Sequence, residues 1–188
     1  KVVVCSNTLP TASGVNGNPV YTASVCADNQ LCFTINSIDP DPNDTLLMWW
    51  NNSLPTATFT VSGTPHPVGQ FCWTPTSADV NNNPNTFSVT VRDNACPQNG
   101  QQVFTYAITV NPHPVIQTTG NQSVCLGQPA TLSASGASTY SWSPSSYLNT
   151  TSGPTVISTP PANQTYTVTG TSADGCTGST TEIGRAHV

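Results

Sequence analysis

Positive charge is almost missing from this chain: Lys and Arg together number three in 188 residues. A nucleic-acid surface needs several side chains that neutralise phosphate, so that class of partner is excluded. A basic amphipathic membrane helix is excluded for the same reason. Strong helix formers are scarce too, with one Met, one Glu and one Lys. No apolar run approaches the ~18 residues that a membrane-spanning helix needs, so no membrane insertion is expected. None of the seven cysteines forms a CxxC pair, which argues against zinc and against thioredoxin-like chemistry. GxSxG, HExxH, P-loop and dinucleotide motifs are absent as well. The chain is therefore not expected to be an enzyme. His66 and His113 sit in Pro-rich stretches, "TPHPV" and "NPHPV", and read as solvated loop residues rather than bases or ligands.

What is present favours strands joined by turns: Thr, Val, Ser, Asn, Pro and Gly dominate. After a Pro/Gly/Asn-rich lead-in over residues 1–20, read as coming from a preceding repeat, strand-like segments recur at short intervals. They are Tyr21–Val25, Leu31–Ile38, Leu46–Trp50, Thr58–Val61, Gln70–Trp73, Thr86–Arg92 and Gln102–Val110. "VNPHPV", Val110 to Val115, is a stiff Pro-bounded linker. A second set follows: Val115–Thr118, Ser123–Cys125, Ala130–Ser135, Thr139–Ser143, Thr155–Ser158, Gln164–Gly170 and Cys176 onward. The pattern predicts an all-β chain of two tandem antiparallel β-sandwich domains of immunoglobulin type, over 21–111 and 112–181. Trp142 is the expected core aromatic of the second. The halves share a loose plan, since "VCADNQLCFTI" resembles "VCLGQPATLSA" and "VTVRDNAC" resembles "VTGTSADGC". Repeated sandwich units point to a tandem array.

The ends read differently. The chain opens without Met, and "EIGRAHV" holds the sole Glu, one of two Arg and one of three His. Its back-translation looks like read-through into a sequencing adapter. Residues 182–188 are accordingly expected to be non-native, and the remainder an internal fragment of a longer protein.

"IDPDPND…WWNN", "FCWTPTSADV", "FSVTVRDNACP" and "YAITVNP" together resemble cadherin-like or Ig-like repeats of very large bacterial surface proteins. "VCLGQPATLSASG", "YSWSPSSYLN", "TYTVTG" and "DGC" resemble the PKD-like repeats that accompany them. Gliding-motility-associated adhesins exported by the type IX route are of this kind. The resemblance covers about residues 21–181 and implies a secreted or cell-surface location, a stalk or adhesin role, and calcium.

The cysteines read as structural disulfides of an exported protein, with scattered reduced thiols as the alternative. Cys125 and Cys176 are the two cysteines of the second domain and would pair with each other. By position, Cys26 and Cys96 are their counterparts in the first. Cys32 and Cys72 remain, at the start of one strand and the end of its expected antiparallel neighbour. Cys5 is left over.

Asp39, Asp41 and Asp44 crowd the turn "DPDPND" in a chain with 6% charged residues. With Asp93, which ends another strand at the same end of the sandwich, they form a candidate calcium site, because calcium takes six to eight oxygen ligands. The spacing is not that of an EF-hand. The same residues are good turn chemistry, with Pro fixing φ and Asp or Asn capping the turn, and the plain turn is the preferred reading. In the strand that follows, neighbouring side chains face opposite ways, and the resemblance, whose pattern carries one Trp before "NN" at the place of Trp50, implies that Leu46, Met48 and Trp50 face inward and Leu47 and Trp49 outward. Leu47 and Trp49 would then be a sugar or protein docking surface, or cover for a loop or neighbouring repeat. The expected function is a non-catalytic structural and adhesive segment of a large extracellular bacterial surface protein. Its expected partners are neighbouring repeats, surface glycans or other cell-surface proteins. The alternative is a carbohydrate-binding module attached to a polysaccharide-active enzyme.

Overall fold

The computed structural model describes residues 7–95, 98–125 and 128–187. It divides into two compact units, Lys1–Asn111 and Pro112–Val188. Among the described residues there is no α-helix.

The first unit contains β1 (Thr11–Ala12), β2 (Thr22–Cys26), β3 (Leu31–Ile38), β4 (Leu47–Trp50), β5 (Thr58–Ser62), β6 (Val68–Trp73), β7 (Asn85–Arg92) and β8 (Gln101–Asn111). One sheet has the order β1-β3-β6-β5 and the other β2-β8-β7-β4. Named A to G along the chain, with β2 as the switched half of the first strand, these are the ABED and CFG sheets of an immunoglobulin-like sandwich. The strands alternate because one face of each is buried. In β7, Phe87, Val89 and Val91 are buried, while Ser88, Thr90 and Arg92 on the other face are half-buried. Phe33, Ile35, Phe71 and Trp73 meet this row from the opposite sheet. Gly69 leaves the space that Phe59 and Met48 fill, since a Cβ there would lie 2.2 Å from the Phe59 ring. Trp73 is held by its indole N–H, which donates to Thr56 Oγ1 at 3.0 Å.

The lead-in, read from sequence as belonging to a preceding repeat, is partly built into this unit. Thr11 and Ala12 pair with Ile38 and Ser37, and Ala12 is buried in the core. The buried Tyr106 hydroxyl donates to the Ser13 carbonyl. Two strand residues are too short a stretch to show a period, and their partners lie far along the chain.

The second unit contains β9 (Gln117–Thr118), β10 (Gln122–Cys125), β11 (Ala130–Ser135), β12 (Thr139–Ser143), β13 (Thr155–Ser158), β14 (Gln164–Thr171) and β15 (Thr177–His187). Its sheets are β13-β11-β9 and β10-β15-β14-β12, the same plan without a D strand. The segment between β12 and β13 covers both sheet edges through bridges Ser141↔Ser152 and Leu148↔Ser158. Trp142 is buried at its centre and donates its indole N–H to the Gly153 carbonyl at 3.0 Å.

Cys32 and Cys72 are directly opposite each other on β3 and β6 and form a disulfide. The pair lies on the outer face of its sheet, with Cys32 exposed. Cys26 is also disulfide-bonded. Cys96, its expected partner, and Cys5 lie outside the described residues. The expected bond between Cys125 and Cys176 does not form: Cys125 is a free, exposed thiol, and Cys176 is disulfide-bonded elsewhere. Register explains why. Cys125 stands beside His187 at the far end of β15, whereas Cys176 immediately precedes the start of that strand at Thr177. Eleven residues of extended chain separate the two places by roughly 35 Å, and a disulfide tolerates a Cα separation of at most about 7 Å.

β15 runs through Glu182 without a break, pairing Glu182 with Tyr166. The Glu182 side chain points into the core and is 1% exposed. Its Oε1 accepts the Thr119 hydroxyl at 2.7 Å, and Oε2 is buried with no partner. Burial pushes its carboxyl above the ordinary 4.5, and the Thr119 hydrogen bond opposes this only in part. Below pH 4.5 folded and unfolded chains are both mostly protonated there, so ionisation adds no cost. As pH rises, the unfolded state gives up its proton first, and stability falls until the folded group ionises too. Glu182→Val removes the buried unpaired oxygen and leaves the Thr119 hydroxyl in water. It is expected to stabilise the second unit by about 1–3 kcal/mol at pH 7. The gain should be smaller near pH 4, where the ionisation-linked part is absent, as read by thermal melts of variant and wild type at both pH values. The Cys32→Ser/Cys72→Ser double variant should lose about 4 kcal/mol in the first unit on the chain-entropy account, measured by urea denaturation.

Candidate functional site

The loop from Asp39 to Leu46 joins β3 to β4 at one end of the first sandwich. Its shape is set by its own side chains. Asp39 Oδ1 accepts the Asp41 amide at 2.8 Å, and the Asp44 amide donates to the Asp41 carbonyl at 3.2 Å. The loop is tied outward at three points. Thr8 N–H donates to Asp41 Oδ2 at 2.7 Å, Thr45 N–H donates to Asn94 Oδ1 at 2.7 Å, and Leu46 N–H donates to the Pro65 carbonyl at 2.9 Å. This brings one carboxylate oxygen each of Asp39, Asp41 and Asp44 within 4.8 Å of one another. Partial desolvation, and then the negative charges of Asp39, Asp93 and Asp41, push the Asp44 carboxyl above its ordinary range. Asp39 Oδ2 is shielded from water and has no hydrogen-bond partner.

This geometry fits a hard cation. Ligands on opposite sides of calcium, each about 2.3–2.6 Å away, stand about 5 Å apart. A cation would satisfy the Asp39 oxygen and relieve the repulsion that raises Asp44. Backbone carbonyls and water would complete the shell.

Asp93 does not join the group that Asp39, Asp41 and Asp44 form. It is 1% exposed, and its carboxylate closes the loop after β7. Oδ1 accepts the amides of Ala95 at 3.1 Å and Gly100 at 2.6 Å, while Oδ2 accepts Asn7 Nδ2 at 3.1 Å. With three hydrogen bonds holding it this way, it acts on Asp44 through its charge. Asn7, Thr8 and Asn94 are the site residues that the sequence reading missed. Asn94 stands in "VRDN" beside Asp93 and was a visible candidate. Asn7 and Thr8 reach the loop only through the tertiary fold. The histidines are less solvated than expected: His66 Nδ1 is buried without a partner, and His113 Nδ1 lies 2.7 Å from the Thr177 carbonyl.

The second candidate is the outer face of β4. Leu46 and Met48 are buried. Trp50 packs on the core, with Phe59, Phe71 and Phe87 at 5.9–6.1 Å between ring centroids. Leu47 and Trp49 point outward and are 53% and 41% exposed.

No protein-family model matches the chain, and no curated protein matches it. Solved structures similar to it are multidomain Ig and cadherin fragments. A three-Ig fragment of titin has 9% identity and a TM-score of 0.46, over 94% of this chain and 65% of that one. A four-domain ectodomain fragment of ICAM-5 has 11% identity and a TM-score of 0.44, over 97% and 48%. The extracellular cadherin domains of protocadherin gamma B2 have 11% identity and a TM-score of 0.42, over 98% and 41%. The chain thus spans less than two thirds of each of these.

Asp93→Ala removes the acceptor for two backbone amides at a buried place. It is expected to destabilise the first unit by about 2–5 kcal/mol, whereas Asp41→Ala, in an exposed loop, should cost less than about 1 kcal/mol. Chemical denaturation of the two variants side by side checks the distinction.

Proposed function

We propose that this chain is a non-catalytic structural and adhesive segment of a large extracellular bacterial surface protein, with calcium held by Asp39, Asp41 and Asp44. Two immunoglobulin-like sandwiches in tandem support the structural role. The disulfides support a secreted or surface location, and the repeat motifs quoted above support the bacterial setting. The observation that carries the calcium reading is Asp39 Oδ2, a carboxylate oxygen shielded from water, without a partner, inside a group of three carboxylates. Calcium here would fasten the β3–β4 loop, and through Thr8 the chain that enters the sandwich. The role of such a segment is reach and display, with neighbouring repeats as its first partners.

Isothermal titration with calcium tests this. Saturation at 100 times Kd is worth about 2.7 kcal/mol, which should raise the melting temperature of the first unit by roughly 10 °C. Chelation should reverse the rise, and an Asp39→Asn/Asp41→Asn double variant should not show it. Absence of both heat and a chelation-dependent shift would retire the calcium reading.

A further inference from the structure

The outer face of the β2-β8-β7-β4 sheet carries more than Trp49 and Leu47. Register places Trp49, Thr90 and Val103 in one row across β4, β7 and β8, and Leu47, Arg92 and Gln101 in the next. Strands are about 4.8 Å apart and alternate residues about 6.8 Å, so the two rows make a patch of roughly 10 by 7 Å. Three of its six side chains are exposed apolar groups: Leu47 at 53%, Trp49 at 41% and Val103 at 59%. Two more, Thr90 and Gln101, are neutral hydrogen-bonding groups. The sixth is Arg92, the sole Lys or Arg among the described residues of the first unit. Its Nε is buried and has no hydrogen-bond partner.

We infer that this patch is a binding site for an acidic glycan, one whose sugar rings carry carboxylates. The aromatic face of Trp49 supplies a flat apolar contact for the C–H face of a ring. The Arg92 guanidinium supplies the planar fork that pairs with a carboxylate. Thr90 and Gln101 face the hydroxyls. Neither Asp nor Glu occupies the six positions, so an anion meets no like charge in the patch. The interleaving of apolar and hydroxyl-matching groups suits a sugar better than a protein partner, whose interface would need a larger continuous apolar centre. Neutral glycans lack a negative group to pair with the outer, Nη end of the Arg92 guanidinium. The site stands independently of the calcium loop and gives the adhesive role a ligand.

Titration of the whole chain with oligogalacturonate, in EDTA so that calcium cannot bridge the glycan to the acidic loop, tests the assignment. Maltohexaose and poly-glutamate serve as the neutral and peptide comparators. Oligogalacturonate should bind at least tenfold more tightly than either, and more weakly as salt rises. Trp49→Ala and Arg92→Gln should each weaken it at least tenfold. Val103→Glu, at an exposed position that does not threaten folding, should abolish it by repulsion even if Arg92→Gln proves unstable. No binding, or binding indifferent to Trp49→Ala and Val103→Glu, overturns the proposal. Equal binding of poly-glutamate makes the patch a peptide site and overturns it. So does sedimentation showing a dimer that Trp49→Ala dissolves.

Discussion

Phe71 and Phe87 lie face to face with ring centroids 4.2 Å apart and planes 3° from parallel. One comes from each sheet of the first unit. Tyr106 stacks on the far side of Phe87 at 5.0 Å, Phe33 tilts against Phe71 at 5.1 Å, and Trp50 meets both phenylalanines edge-on. Such contacts contribute about 0.5–1.5 kcal/mol per pair beyond the area they bury. Their larger effect is on register. A slip of one residue in β7 would put Thr90 and Arg92 into this cluster and Val89 and Val91 into water. The aromatic stack therefore decides which residues the sandwich shows to solvent, and the Trp49–Arg92 patch is the outward half of the alternation that it fixes.

The ends of the sandwich follow a different logic from its faces. Strand alternation has stopped there, and side chains build the loops directly. Asp93 and the Asp39–Asp44 loop illustrate two uses of one residue type on loops that Thr45 and Asn94 tie together. Asp93 is buried and saturated with backbone amides, so it organises a loop. Asp39 is shielded from water at one oxygen and unsatisfied there, so it organises its loop through the other oxygen alone. Loops held by a rigid scaffold in this way are where proteins place recognition.

Much of this was legible in the sequence. Alternation and turn residues located the strands of both units closely, and the parity of Leu46 to Trp50 separated core from surface. Cys32 and Cys72 could be matched because adjacent antiparallel strands fix which ends meet. Counting failed for Cys125 and Cys176, because pairing by elimination ignores where along a strand each thiol stands. Asp93 was placed at the correct end of the sandwich but given a ligand's role. Proximity of loops follows from topology, whereas the direction of a carboxylate follows from the amides around it, here those of Ala95 and Gly100. Thr8 lies 33 residues from Asp41 and Asn7 lies 86 from Asp93, and no local pattern announces either contact. Arg92 was read as part of a motif and not as a charge, since its meaning depends on Leu47 and Gln101 across the strands.

In both units the second strand pairs in parallel with the last. β2 runs beside β8 from Thr22↔Ala107 to Cys26↔Asn111, and β10 runs beside β15 from Gln122↔Gly184 to Cys125↔His187. When the chain is pulled from its two ends, parallel neighbours slide past each other, so their hydrogen bonds carry the load together. An antiparallel hairpin pulled from its open end would give them up one at a time. Each sandwich thus carries a shear joint, in which a load along the chain is shared across several hydrogen bonds at once.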